Sequence, residues 1–180
     1  MKGVVFTEFL SFVEGRFDLV MVDHLITATD PASGGAYTAV GTYDASELVD
    51  MVAELSLRTG IPAAEWIKAF GGHLFQHFVR DHAATMGQVT TSEALLSSVE
   101  DRIHVDVRKL FPDAELPTIG FEQIDDRTSE VTYQSTRPFA DLAEGLIAAA
   151  IKHFADPITM TREDLHPGDG TRAKFKLVRR

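Results

Sequence analysis

Along the first 110 or so residues the apolar side chains recur at three- and four-residue spacing, and beyond Pro117 they fall into short alternating runs, so the chain reads as a helical half followed by a mixed half. Residues 3–14 place Val4, Val5, Phe9 and Phe12 at helical spacing, residues 24–28 continue a second apolar segment, and Asp30-Pro31-Ala32-Ser33-Gly34-Gly35 is a loop. Asp44 or Ser46 is placed to cap a helix running to Arg58, with Leu48, Val49, Val52 and Leu55 as its stripe and Gly60 as the left-handed residue that ends it. A helix restarts at Pro62 or just after it and carries Trp66, Ile67 and Phe70, and Gly71-Gly72 is expected to kink or break it. Leu74, Phe75 and Phe78 continue an apolar face to about His82. One further helix is predicted over 92–110, ended by Phe111-Pro112-Asp113 and containing His104.

After Pro117, residues 118–124 and 130–135 read as strands around a turn at 125–128, residues 139–154 as a strongly apolar helix, and residues 157–162 and 173–178 as a second hairpin. The layout is α+β, a helical N-terminal lobe followed by ββαββ. With no internal repeat, low-complexity stretch or linker, residues 1–180 are expected to form one domain of two lobes.

A chain of 180 residues buries about 70% of its unfolded surface, enough to enclose a cofactor. The formal charge of −10 repels a phosphate backbone or an anionic membrane and argues against nucleic acid as a partner. The absence of cysteine excludes disulfides, iron–sulfur clusters, Cys-ligated zinc and a thiol nucleophile, so any metal relies on His or carboxylate. The start Met1-Lys2-Gly3-Val4-Val5-Phe6, with Glu8 and Glu14 close behind, fits neither a signal peptide nor a membrane span, and implies a soluble cytoplasmic protein.

Seven histidines are scattered at positions 24, 73, 77, 82, 104, 153 and 166, so a lone histidine carries little weight. His73 and His77 share a helix face at zinc-binding spacing, but Leu74 stands where an H-E-x-x-H motif needs glutamate. His104 lies in Arg102-Ile103-His104-Val105-Asp106-Val107-Arg108-Lys109-Leu110, where Ile103, Val107 and Leu110 form an apolar stripe; read alone, it is either a satisfied packing or surface histidine or a metal ligand. In Val131-Thr132-Tyr133-Gln134-Ser135-Thr136-Arg137, alternation sends Tyr133, Ser135 and Arg137 off one strand face. Two hydroxyls and a guanidinium fork suit a pair of carboxylates, and equally a solvated strand face that ends in arginine.

Three stretches then carry a resemblance: Gly35-Ala36-Tyr37-Thr38-Ala39-Val40-Gly41-Thr42-Tyr43, Ile103-His104-Val105-Asp106-Val107-Arg108-Lys109-Leu110-Phe111-Pro112-Asp113-Ala114-Glu115-Leu116-Pro117, and Tyr133-Gln134-Ser135-Thr136-Arg137. In this order and at these separations they resemble the H-NOX (haem nitric oxide/oxygen binding) family, and Met1-Lys2-Gly3 and Asp141-Leu142-Ala143-Glu144-Gly145-Leu146-Ile147 fit it too. The resemblance spans nearly the whole chain. It implies the H-NOX fold, with haem b between the helical lobe and a lobe built on a four-stranded antiparallel sheet.

The resemblance further implies His104 as the proximal iron ligand, with Tyr133, Ser135 and Arg137 hydrogen-bonded to the haem propionates. Pro117 corresponds to a proline that distorts the porphyrin, and Gly71 and Gly145 to pivots of the helical lobe. Val5, Phe9, Leu74, Phe78, Leu142 and Leu146 are the expected apolar contacts of the cofactor. Leu142 stands where oxygen-binding members carry a distal tyrosine, and Phe9 and Leu74 where they support it. The resemblance thus implies binding of nitric oxide and carbon monoxide with exclusion of dioxygen, unless Tyr37, Tyr43 or His73 reaches the pocket.

A sensor of this kind implies a separate signalling partner, such as a histidine kinase or a cyclic dinucleotide enzyme. The alternatives are a haem or His-metal oxidoreductase, which would want a distal acid or base, a cofactor-free interaction domain, and a haem carrier.

Overall fold

The computed structural model describes residues 1–81, 83–166 and 168–180. Helices α1 (Gly3–Arg16), α2 (Leu19–Thr29), α3 (Ala45–Thr59) and α4 (Ala63–Asp81) make the N-terminal lobe, followed by the short α5 (Ala83–Met86) and α6 (Ser92–Ser97). A π-helical turn (Val99–Ile103) leads into α7 (His104–Leu110). Strands β1 (Thr118–Gln123) and β2 (Thr128–Gln134), helix α8 (Ala140–His153), and strands β3 (Ile158–Asp164) and β4 (Arg172–Arg179) complete the chain. The class is α+β, as expected.

Helix boundaries reflect local chemistry. Asp44 caps α3 by accepting from the Ser46 N–H at 2.9 Å, and Gly60 closes it at φ 70°. The buried stripe of α3 is Leu48, Met51, Val52 and Leu55, whereas Val49 is exposed; 100° per residue puts Met51, not Val49, over the core. In α1 the buried face is Phe6, Phe9, Phe12 and Val13, and its rings meet Phe70 and Trp66 of α4 edge-on or tilted at 5.3–6.1 Å.

Gly71-Gly72 does not break α4, which runs unbroken to Asp81; His82, where the apolar face was expected to end, lies outside the described residues. The pair is tolerated because Gly71 serves packing. A Cβ built at Gly71 would lie 2.6 Å from the Leu142 carbonyl oxygen and 2.9 Å from Gly145 Cα, and one at Gly145 would collide with the Lys68 carbonyl. The two backbones of α4 and α8 approach where neither carries a side chain.

The sheet is antiparallel throughout, in the order β1-β2-β4-β3. Its packed face alternates along β2 (Ser129, Val131, Tyr133) and β4 (Ala173, Phe175, Leu177), and Tyr133 is paired with Ala173, whose small side chain leaves room for the ring. All of these but Ser129 join the same apolar cluster as Phe6, Phe9, Phe70 and Leu74, so the core is continuous from helices to sheet. Among the described residues, no helix is long and apolar enough to cross a membrane.

Candidate functional site

The single helix expected over 92–110 is three pieces. In the π turn the Ile103 N–H reaches the Ser98 carbonyl at 3.3 Å and the His104 N–H reaches that of Val99, each five residues back instead of four. One extra residue rotates the remainder of the helix, α7, by about 100° about its axis. His104 thereby faces inward at 8% exposure, while Leu110, expected on the apolar stripe, is 69% exposed. Ile103 packs against Phe75, Leu95 and Ala150 in a second, smaller core cluster.

His104 Nδ1 lies 2.9 Å from Glu100 Oε2, the same oxygen that accepts the Ile119 N–H at 3.2 Å, and Arg108 Nη2 donates to Oε1 at 2.9 Å. Burial favours the neutral acid at Glu100, but hydrogen bonds from Arg108, the Ile119 N–H and His104 outweigh it and hold its carboxyl below the ordinary range. An ionised carboxylate only accepts. These hydrogen bonds place a proton on Nδ1, and Nε2 has no bonded partner among the described residues, so in the neutral ring its lone pair is available to a metal.

Tyr133, Ser135 and Arg137 do not share a strand face, because β2 ends at Gln134. A turn gathers them instead. Ser135 Oγ accepts the Arg137 N–H at 3.1 Å, the Tyr133 hydroxyl donates to the Arg137 carbonyl at 3.4 Å, and the Ser135 N–H is held by the Thr171 carbonyl at 2.9 Å. Burial pushes the Tyr133 phenol up, which keeps it a neutral donor.

The Arg137 guanidinium donates to the Glu115 carbonyl at 3.1 Å and forms an ion pair with the Glu115 carboxylate. It borders a cleft of about 470 Å³ that is also lined by Met1, Lys2, Tyr43 and Asp113. The Met1 amino group, which donates to the Tyr43 carbonyl at 2.6 Å, has its pKa lowered by burial and by Arg137. Lys2 Nζ bridges both Asp113 oxygens at 3.0 Å. This is a cluster of donors already arranged around carboxylates.

Phe9 and Leu74 are buried, and Val5, Phe78, Leu142 and Leu146 are half-buried against the same apolar cluster. Three other donors had been candidates to reach them. Tyr37 gives its hydroxyl proton to Glu47 at 2.7 Å, Tyr43 accepts the Thr38 N–H at 2.8 Å, and His73 Nε2 lies 3.1 Å from Glu8 Oε2. Each is engaged elsewhere.

His77 Nδ1 lies 3.2 Å from the other Glu8 oxygen, so the histidine pair of α4 clasps a carboxylate of α1. Among the described residues no group of three or more His, Cys, Asp or Glu could hold a metal ion. Pro117 is half-buried two residues before Ile119, on the segment whose backbone anchors Glu100.

Sequence reasoning missed Glu100, Glu115 and Glu8. The four-residue spacing of Glu100 from His104 was visible, but its second anchor, the Ile119 N–H, comes from a strand nineteen residues on. Glu115 and Glu8 likewise act across elements and leave no local signature.

A haem-NO-binding family model matches residues 2–162. Among solved structures, an Fe(II) unliganded H-NOX protein from K. algicida superposes with a TM-score of 0.92 at 34% identity, covering 100% of this chain and 97% of that one. An H-NOX protein from S. oneidensis in the Fe(II)NO ligation state gives 0.91 at 25% identity, covering 100% and 99%. The IWP-051-bound H-NOX from Shewanella woodyi in the Fe(II)CO ligation state gives 0.85 at 34% identity, covering 100% and 95%. No curated protein matches the chain.

Proposed function

Since the chain belongs to the haem-NO-binding family, we propose that it is a single-domain, cytoplasmic haem b sensor that binds nitric oxide and carbon monoxide, excludes dioxygen, and signals without catalysing a reaction. One observation carries the reading: a buried histidine whose Nδ1 is committed to Glu100, leaving Nε2 without a bonded partner among the described residues. Haem b, when bound, supplies the iron at which a diatomic gas is held.

The residues fit that group by the chemistry of their donors. His104 Nε2 holds the iron, and the Tyr133 and Ser135 hydroxyls with the Arg137 fork take the propionates, Arg137 exchanging the Glu115 carboxylate for another. Pro117, half-buried on the segment before β1, would be the residue that presses on the bound group. Phe9, Leu74 and Leu142, with Val5, Phe78 and Leu146, wall the gas side without offering a hydrogen bond. Bound dioxygen carries partial negative charge and needs such a donor, whereas nitric oxide and carbon monoxide do not.

With haem bound, His104 would be the protein's hold on the iron, and a gas that loosened that hold would free α7 and the Pro117 segment, with Gly71 against Gly145 as the place where the lobes would shift. Such a switch requires different gas affinities in the two states. The readout falls to a separate partner, a histidine kinase or a cyclic dinucleotide enzyme. An oxidoreductase would want an acid or base beside the gas, but His73 and Glu8, on the helices that carry Leu74 and Phe9, are paired with each other.

The test is an anaerobic absorption spectrum of the reduced protein, then with nitric oxide, with carbon monoxide and in air, beside His104→Ala. The expected result is a haem spectrum that changes with both gases, is unaffected by brief exposure to air, and is lost in the variant unless imidazole is supplied. A protein that cannot be loaded with haem overturns the reading.

A further inference from the structure

Glu100 is more than an exposed helix pair to His104. An ordinary surface i,i+4 ion pair contributes only about 0.3–0.5 kcal/mol and holds neither partner rigidly. Here the histidine is buried, and the carboxylate is pinned by two further donors: Arg108 Nη2 at 2.9 Å from α7 and the Ile119 N–H at 3.2 Å from β1. The backbone donor matters most for geometry, since it ties the carboxylate to the sheet rather than to its own helix. The π turn brings this about, because Glu100 lies within it and His104 comes directly after it.

We propose that Glu100 is a positioning residue for the proximal ligand: by accepting the Nδ1–H of His104 it fixes the ring's tautomer and orientation, strengthens the bond from Nε2 to iron, and so sets how readily nitric oxide releases His104. The inference rests on the haem reading above. A carboxylate on the outer nitrogen of a ligating imidazole gives the ring partial imidazolate character and makes the inner nitrogen a stronger donor. Arg108 tempers this by drawing on the other carboxylate oxygen. Glu100 therefore holds the switch toward its histidine-bound state, and Arg108 opposes it.

Three forms of the haem-loaded full chain test this: unaltered, Glu100→Gln and Arg108→Ala. Gln keeps the shape and an accepting oxygen but loses the charge. The readouts are the iron–histidine stretching frequency of the reduced protein, and the fraction of the nitric oxide complex that retains His104, taken from its absorption maximum. Glu100→Gln is expected to lower the frequency and shift the retained-to-released ratio toward release by about 10-fold or more, in line with the effect of removing such outer partners. Arg108→Ala is expected to move both the other way, which loosened packing alone would not do.

Frequencies and ratios that match the unaltered protein in both variants overturn the role of Glu100 while leaving the sensor reading intact. Displacement of both variants in the same direction also overturns it. Failure of the unaltered protein to take up haem through His104 overturns the sensor reading itself, an outcome separate from these.

Discussion

Gly71 on α4 lies against Gly145 on α8, so closely that a methyl group on Gly71 would lie 2.9 Å from the Gly145 Cα and 2.6 Å from the Leu142 carbonyl oxygen. One residue on, Gly72 has nothing within 4 Å of a built Cβ. Neighbouring glycines in one helix thus do opposite things, and alanine separates them. Gly71→Ala is expected to lose about 1–3 kcal/mol through overpacking, a fall of roughly 2–4 °C in Tm per kcal/mol for a chain of this size. Gly72→Ala is expected to gain up to about 1 kcal/mol from helix propensity alone. Thermal unfolding of the two variants should bracket the unaltered protein, and a gain for Gly71→Ala would mean that the helices do not pack this closely.

The same pair shows what a sequence reveals and what it withholds. Two adjacent glycines signal a weak helix, and only the partner helix reveals that one of them is a packing requirement. A cap at Asp44 or Ser46, the closing Gly60 and a strand over 130–135 were legible because they depend on near neighbours, and the structure has Asp44 as the cap and the strand over Thr128–Gln134. The inward turn of His104 was not, because a single residue inserted into a helix of ordinary composition leaves no mark in the apolar period. Tyr133, Ser135 and Arg137 do lie together, but not on the strand face that alternation implied: the chain bends after β2, and hydrogen bonds among the three gather them. Glu100 and Glu115, each acting through a contact distant in sequence, could be found only in three dimensions.

Glu115 competes for the guanidinium that the haem propionates are proposed to use. Removing its charge while keeping its shape, as in Glu115→Gln, frees the Arg137 fork without emptying the site. Haem is then expected to leave more slowly, and Arg137→Met to release it faster. Each change should be about 10-fold, the effect of about 1.4 kcal/mol, near the lower end of what a charge-assisted hydrogen bond contributes. Transfer of haem to excess apomyoglobin measures both rates. Equal rates in all three proteins would remove Arg137 from the propionate site.

Alkaline pH probes the buried carboxylate of the helical lobe. Glu47 Oε2 accepts from Tyr37 at 2.7 Å and from Ser33 at 2.6 Å. Burial foremost, with Glu47 beside it, pushes the Tyr37 phenol up to about 12 although Ser33 pulls the other way. The folded state therefore keeps a proton that the unfolded chain loses near pH 10. Because the unfolded state binds fewer protons in this window, stability falls as pH rises from the unfolded value to the folded one. Tyr37→Phe is expected to be the less stable protein at pH 8, by about 1–3 kcal/mol, since Glu47 loses a donor. Its deficit should shrink between pH 10 and pH 12. Urea unfolding across that range checks this, and a constant deficit would mean that Tyr37 titrates alike in both states.

Gas selection is expected to turn on one hydroxyl. Leu142 is half-buried on the first turns of α8, beside the close approach of α8 to Gly71, and neither it, Phe9 nor Leu74 offers a donor. Tyr37 donates to Glu47, the Tyr43 hydroxyl accepts the Thr38 N–H, and His73 Nε2 lies beside Glu8 Oε2, so each of these three polar side chains has a partner of its own. Leu142→Tyr adds about one ring of volume at a position that is not fully enclosed, so it should fold with only a modest loss of stability. Its hydroxyl would supply the hydrogen bond that polar bound dioxygen lacks. A hydrogen bond to a charged group contributes about 1.5–3 kcal/mol, which corresponds to a gain of roughly 10- to 100-fold in dioxygen affinity. Carbon monoxide affinity should change far less, because that ligand carries little charge to satisfy. Titration of the reduced variant with each gas, followed by absorption, separates the two effects. A parallel rise for both gases would point to a reshaped pocket rather than a hydrogen bond, and no change for either would place Leu142 away from the gas.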